Sequence, residues 1–448
     1  MENCQIHKNF SDIYDGIIPK RVPIGAILPL EFCIQYADLD LAETQWTLDG
    51  VYEAADELCN MLPLEMAPLG TPRYPAYLTI LKAKTYKMGE SGFMQHPEIE
   101  GMLSEEYPLF NQNPRDFIIQ TVFPRLFENW DTDPINRTLL FSQALLAYKD
   151  YQTQHLTIVQ KLRKNHDFHT PPAGSIGGVT VPFDYLADFL RGFTGITIDV
   201  KRRPEMILEA CEAVLPFLLE KGLPANPSKY GQTFIPLHMG TYLREKEFKK
   251  LYWPSFKKLV QLMADAGQPA YIFCEDDWTR YLDYLQDLPE GTRFCFEYGD
   301  PVQIKKKLGH KHILSGLYPI RYLKTATKQE CIDKAKKLMD ILAPGGNYIF
   351  NFDKNPFVIG DVDLDNYKAV LEFVLEYGRY DNSGQKSRET LNREFSQDTL
   401  QKGLKYESKY GEFDYSNVDF VGKELGSTVE PILKKYHQEV FNFLIRLV

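Results

Sequence analysis

Between residues 203 and 378 the apolar positions switch period again and again. Met206, Ile207, Ala210, Cys211, Val214, Leu215, Phe217 and Leu218 recur at i, i+3 and i+4, which predicts a helix over 203–221. Short apolar runs follow, "TFIPLH" (233–238), "AYIFC" (270–274), "RFCFE" (293–297), "HILSG" (312–316) and "NYIFNF" (347–352). Helical periodicity separates them over about 244–266 (interrupted near Pro254), 277–287, 301–308 and 327–342, and returns over 364–378. Runs this apolar, with little alternation, are expected to be buried on both faces, and the helices between them are crossover connections. Together they predict a parallel sheet in an α/β fold.

Two architectures compete. A doubly wound nucleotide fold needs a glycine-rich turn after its first strand, and "AGSIGGV" (173–179) has the wrong spacing and follows no convincing strand. A (β/α)8 TIM barrel needs three more strands upstream, which "VPIGAIL" (22–28), "AYLTILKA" (76–83) and "GGVTVPF" (177–183) are expected to supply. The barrel is favoured. Residues 1–160, with Pro-containing stretches such as "PLEMAPLGTPRYP" (63–75), read as an N-terminal extension carrying early barrel strands. Residues 161–380 read as the barrel body and 381–448 as a C-terminal helical extension. In that extension Val429, Ile432, Leu433, Tyr436, Val440, Phe441, Leu444 and Ile445 predict an amphipathic helix over 429–447, docked on the barrel or on a second subunit.

The apolar content of 44%, with 28 Phe and 27 Tyr, supplies a large core. A formal charge of −10 argues against nucleic acid or an anionic membrane surface as the main partner, since both are bound through clustered cations. Lys305-Lys306-Lys307 is short and reads as a solvated helix face. The seven cysteines are scattered and form no CxxC pair, which argues against a disulfide scaffold or zinc knuckle. The first residues lack the apolar stretch of a secretory signal, and no run approaches the roughly 18 apolar residues of a membrane span, so a cytoplasmic protein is expected.

A (β/α)8 barrel builds its site where the strands end. The residues there are His238, the run Glu275-Asp276-Asp277-Trp278, Glu297, Tyr298, Tyr318 and Asn351 to Lys354. Glu275, His238 and Asp276 are the expected catalytic groups, with Trp278, Tyr298, Tyr318 and Asp353 expected to hold substrate. Each also has a structural reading. His238 would be a hydrogen-bonded core histidine, Asp276 a solvated side chain, Asp277 a helix cap and Cys274 a packed thiol. His310, His312 and the "HDFH" loop (166–169) read as structural or solvated.

The stretches "EKEFKKLYWPSFKKLVQLMADAGQPAYIFCEDDWTRYLDYL" and "GDPVQIKKKLGHKHILSGLYPIRYLKTATKQECIDKAKKLMDILAPGGNYIFNFD" resemble the uroporphyrinogen decarboxylase superfamily, as does "MLSEEYPLFNQNPRDFIIQTVFPR" (102–125) farther upstream. The resemblance implies a (β/α)8 barrel and either decarboxylation or corrinoid-linked methyl transfer. The arginine-rich segment of the true decarboxylases is replaced by "PKRVPIGAILPLEF". The H-x-C of the zinc methyltransferases is replaced by Phe273-Cys274-Glu275, which leaves Glu275 in the place of a ligand cysteine.

The resemblance therefore implies a methyltransferase that demethylates a methoxylated or methylamine-like small molecule. Zinc would sit on His238 and Glu275, joined by Asp353, or Glu275 would act as a general acid. Cobalamin would arrive on a separate corrinoid protein, because no D-x-H-x-x-G signature is present. A cofactor-free decarboxylase or lyase, and a barrel kept only for binding or assembly, are the alternatives. A homodimer is compatible with the terminal helix.

Overall fold

The computed structural model describes residues 5–390 and 426–448. The polar stretch from about 391 to 425, part of the expected C-terminal extension, lies outside them.

The fold is mixed α/β. Five parallel strands stand side by side in chain order, Ile176–Gly178, Gln232–Leu237, Ala270–Asp277, Arg293–Tyr298 and Ile313–Gly316. Their register sets Leu237 opposite Cys274 and Phe296 opposite both Cys274 and Gly316. Residues 293–296 and 313–316 are buried throughout, as expected of strands covered on both faces. Gln232–Leu237 departs from that expectation and alternates, with Thr233, Ile235 and Leu237 buried and Phe234 exposed. Single parallel bridges continue the pairing, Leu314 with Tyr348, Phe350 with Ile24, Leu69 with Pro29, and His169 with Met66.

The connections are helices whose ends have local causes. Pro204–Gly222 starts on a proline, which fixes φ and needs no N–H partner in the first turn. Thr327 and Glu330 cap Lys328–Leu342 reciprocally, and Asp300 caps Pro301–Leu308 through the Val302 N–H. Near Pro254 the helix changes winding, with a π-helical turn over Phe248–Tyr252 ahead of Trp253–Asp265.

Two of the upstream strands expected from sequence take other forms. "AYLTILKA" is the helix Pro75–Leu81, opened by Pro75, and "GGVTVPF" is extended only to Gly178 before Pro182 starts a helix. The region expected as one helix over 277–287 is extended to Asp277, then turns through Thr279–Tyr281 into Leu282–Leu285. The terminal helix Gly426–Arg446 docks by its last turns, where Phe443 meets Tyr77, Phe141 and Tyr148 of the front part of the chain. No helix among the described residues is long and apolar enough to cross a membrane.

Candidate functional site

At the C-terminal ends of the strands lies a cavity of about 400 Å³, walled by Ala187, Asp188, Phe193, His238, Met239, Tyr242, Glu275, Asp276, Glu297 and Tyr298. His238 follows the strand Gln232–Leu237, at the point where the ladder stops supplying partners for backbone N–H groups. The fully buried Asp184 supplies them instead. Its carboxylate accepts the N–H of His238 at 2.9 Å, the N–H of Met239 at 3.0 Å and the Tyr252 hydroxyl at 2.8 Å. Burial first, and then the nearby Asp188, push the Asp184 carboxyl up to about 6 in spite of the His238 charge.

One turn farther on, Asp188 lies in a π-helical turn, Leu186–Arg191, and its Oδ2 is 2.7 Å from His238 Nδ1. The other ring nitrogen, Nε2, is 3.6 Å from Glu275 Oε2. Burial alone would lower the His238 pKa. The Asp188 hydrogen bond and the charges of Asp188, Asp184 and Glu275 outweigh it and raise the imidazole to about 9. Burial also raises the Glu275 carboxyl above its ordinary range, with Glu297 and Asp188 adding to the effect and His238 opposing it.

The three adjacent carboxylates at the end of Ala270–Asp277 take three separate positions. Glu275 faces His238. The strand register slips between Cys274 and Asp277, and within that bulge Asp276 adopts a left-handed φ of 65°. There its N–H donates to Glu297 Oε2 at 2.9 Å. Asp277 accepts the Thr279 N–H at 2.8 Å and shapes the turn. Burial would raise Glu297, but the Asp276 N–H and the Lys354 ammonium, 2.9 Å away, hold it below the usual carboxylate range.

Of the residues singled out from sequence, His238, Glu275, Asp276, Glu297 and Tyr298 meet at this cavity. Trp278 and Tyr318, expected to grip substrate, are fully buried in the core away from its wall. Trp278 donates its indole N–H to the Glu275 carbonyl at 2.8 Å, and Tyr318 donates its hydroxyl to the Cys331 carbonyl at 3.1 Å. Asp353 is also buried off the wall, with Oδ1 accepting the N–H groups of Ile320 and Lys354. Cys274 is buried, on the opposite side of the strand from Glu275. His312 and His169 are buried elsewhere, and His166 pairs with Asp56 at 2.8 Å.

Sequence reasoning passed over Asp184, Asp188, Phe193 and Tyr242. The signal for the first two was two acids four apart in the otherwise largely apolar "VPFDYLADFL" (181–190), a stretch too apolar for a solvated helix.

His238 and Glu275 present a nitrogen and an oxygen of the right kind for zinc, and the Asp188 contact to Nδ1 is the support that metal-bound imidazoles commonly have. Catalytic zinc takes three protein ligands. Asp353 spends its Oδ1 on backbone N–H groups, and among the described residues no three His, Cys, Asp or Glu side chains gather to hold a metal ion. The donor set is therefore incomplete for the zinc site that the sequence led us to expect.

The structure is similar to a solved methyltransferase from Methanosarcina mazei, with 12% sequence identity and a TM-score of 0.54, over 83% of this chain and 98% of that one. At this identity the likeness is one of fold. No protein-family model and no curated protein matches the chain.

Proposed function

We propose that this chain is a methyltransferase that activates a small methylated substrate by protonating the atom its methyl group leaves. The observation that carries the reading is the line Asp188, His238, Glu275, with the Glu275 carboxyl and His238 Nε2 both at the cavity wall. An aryl or alkyl C–O bond breaks reluctantly when the oxygen must depart as an anion. An imidazolium held protonated at neutral pH beside a carboxylate supplies the missing proton. The methyl group leaves as CH3+ to a nucleophilic acceptor, the C–O bond breaks, and the proton from the His238 and Glu275 pair ends on the oxygen. A reduced corrinoid on a partner protein is the acceptor in this reading, and the partner would dock over the cavity mouth.

The geometry also favours a closed ring. The parallel bridges through Tyr348, Phe350, Ile24, Leu69 and Met66 to His169 support eight strands of a (β/α)8 barrel, with residues 347–352, 22–28 and 64–69 joining the five-stranded sheet. The fold likeness to a methyltransferase supports the same reading. Decarboxylation of a carboxylated substrate is disfavoured, since among the described residues His238 is the only basic side chain on the cavity wall to receive a carboxylate.

The test is methyl transfer from methoxylated and methylated compounds to reduced free cobalamin, followed by the spectrum of methylcobalamin. Transfer that falls by about 10²–10⁴-fold in His238→Gln and Glu275→Gln is the expected result. Transfer unchanged in both variants, or carbon dioxide release from a carboxylated substrate in its place, would overturn the reading.

A further inference from the structure

The cavity wall is strongly one-sided in charge. Asp188, Glu275, Asp276 and Glu297 present four carboxylates against one imidazole, and the nearby Lys354 ammonium is already engaged by Glu297. Three aromatic rings share that wall: Phe193 is 48% exposed, Tyr242 65% and Tyr298 52%. Large rings left open to water beside a cavity are unusual in a chain that buries most of its aromatic side chains. Phe193 and Tyr242 meet edge to face with centroids 5.2 Å apart, so they form a standing pair rather than two loose side chains.

A neutral ligand would use the rings and gain nothing from the carboxylates. An anion would be repelled by them. A divalent cation would use the carboxylates and leave the rings idle. A ligand carrying a positive charge on an apolar head uses both, since the faces of aromatic rings attract cations and the carboxylates add long-range attraction in a partly enclosed space.

We infer that the substrate of this site is a small organic cation, with its departing methyl group on an oxygen and, elsewhere in the molecule, an alkylated ammonium head that rests against Phe193, Tyr242 and Tyr298 under the field of the surrounding carboxylates. This inference rests on the methyltransferase reading for the word substrate, but the binding itself does not depend on it.

Binding of choline to the full-length protein, measured by calorimetry, is compared with 3,3-dimethylbutan-1-ol, its neutral carbon isostere, and with 4-methoxybenzoate, an anion. Choline is expected to bind about tenfold or more tighter than the isostere, the factor that one well-placed cation–aromatic contact supplies. Phe193→Leu and Tyr242→Leu, both at exposed positions that the fold tolerates, should weaken choline by several-fold and leave the isostere unchanged. Equal affinity for choline and the isostere, equal losses for both in the variants, tighter binding of 4-methoxybenzoate, or a magnesium ion that binds the site while choline does not, would each overturn the inference. If choline binds as expected and no compound transfers a methyl group, the ligand class stands and the enzymatic reading falls. If a neutral methoxylated compound is demethylated and choline does not bind, the reverse holds.

Discussion

Asp188 and His238, fifty positions apart in the chain, meet through a 2.7 Å contact between Oδ2 and Nδ1, and this contact decides the protonation of the imidazole. The His238 pKa in the folded protein, about 9, lies above its ordinary value of 6.5. The proton therefore favours the folded state. That contribution is fully present below pH 6.5 and is lost as the pH rises through about 9. In Asp188→Asn the largest raising influence on the imidazole is removed. The His238 midpoint, followed by NMR of its ring protons, should move down. The stability gap between wild type and variant should be widest below pH 6.5 and narrow towards pH 9. An unmoved midpoint would mean that Asp184 and Glu275 hold the proton without Asp188.

Much of the fold could be read from the chain, and the reasons differ by element. Pro204–Gly222, Pro301–Leu308, Lys328–Leu342 and Leu364–Tyr377 announce themselves through period and caps, which are local causes. "AYLTILKA" misled because a short apolar run has no period of its own, and the proline ahead of it, which opens a helix, was the better guide. His238 and Glu275 were legible because one follows a strand and the other lies among the last residues of one, after its apolar run ends. Trp278 follows the strand that holds Glu275, yet the bulge at Asp276 turns the chain and sends the indole into the core. Asp184 and Asp188 were not legible, since what makes a carboxylate in an apolar helix tolerable is a partner that only the tertiary fold brings.

Gly240 and Trp278 give a packing test beside the site. A Cβ on Gly240 would lie 2.3 Å from the Trp278 ring, which is fully buried and has nowhere to retreat. Gly240→Ala should cost about 1–3 kcal/mol, the usual penalty of overpacking, in a denaturant titration. Trp278→Phe removes the obstructing ring and should restore part of that loss in the double variant. Additive losses would show that the indole is not what excludes a side chain at 240.

Asp184 offers a test of positioning without contact to the cavity. Asp184→Asn keeps the shape of the side chain but replaces one of two acceptor oxygens with a donor, facing N–H and O–H groups that can only donate as they are now arranged. The loss of one of these buried bonds should cost about 1–3 kcal/mol. The His238 resonances should shift as well, since its backbone N–H is among those held. A stable variant with unshifted His238 signals would assign Asp184 to the core alone.

Asp276 carries the backbone strain of the site. A residue with a side chain pays for a left-handed φ by crowding its Cβ against the following carbonyl oxygen, at about 1–2 kcal/mol, and aspartate is among the few that tolerate it. Asp276→Gly removes the crowding and should leave stability equal or slightly raised. Asp276→Val adds β-branching at the same angle and should lose about 1–2 kcal/mol or more. The consequence reaches the cavity, because the bulge aims the Asp276 N–H at Glu297 and sets the direction in which Glu275 leaves the strand. If the conformation at 276 serves the site, choline affinity should survive in Asp276→Gly to within the loss of one carboxylate and fall much further in Asp276→Val. Equal affinities in the two variants would show that the carboxylate matters and the angle does not.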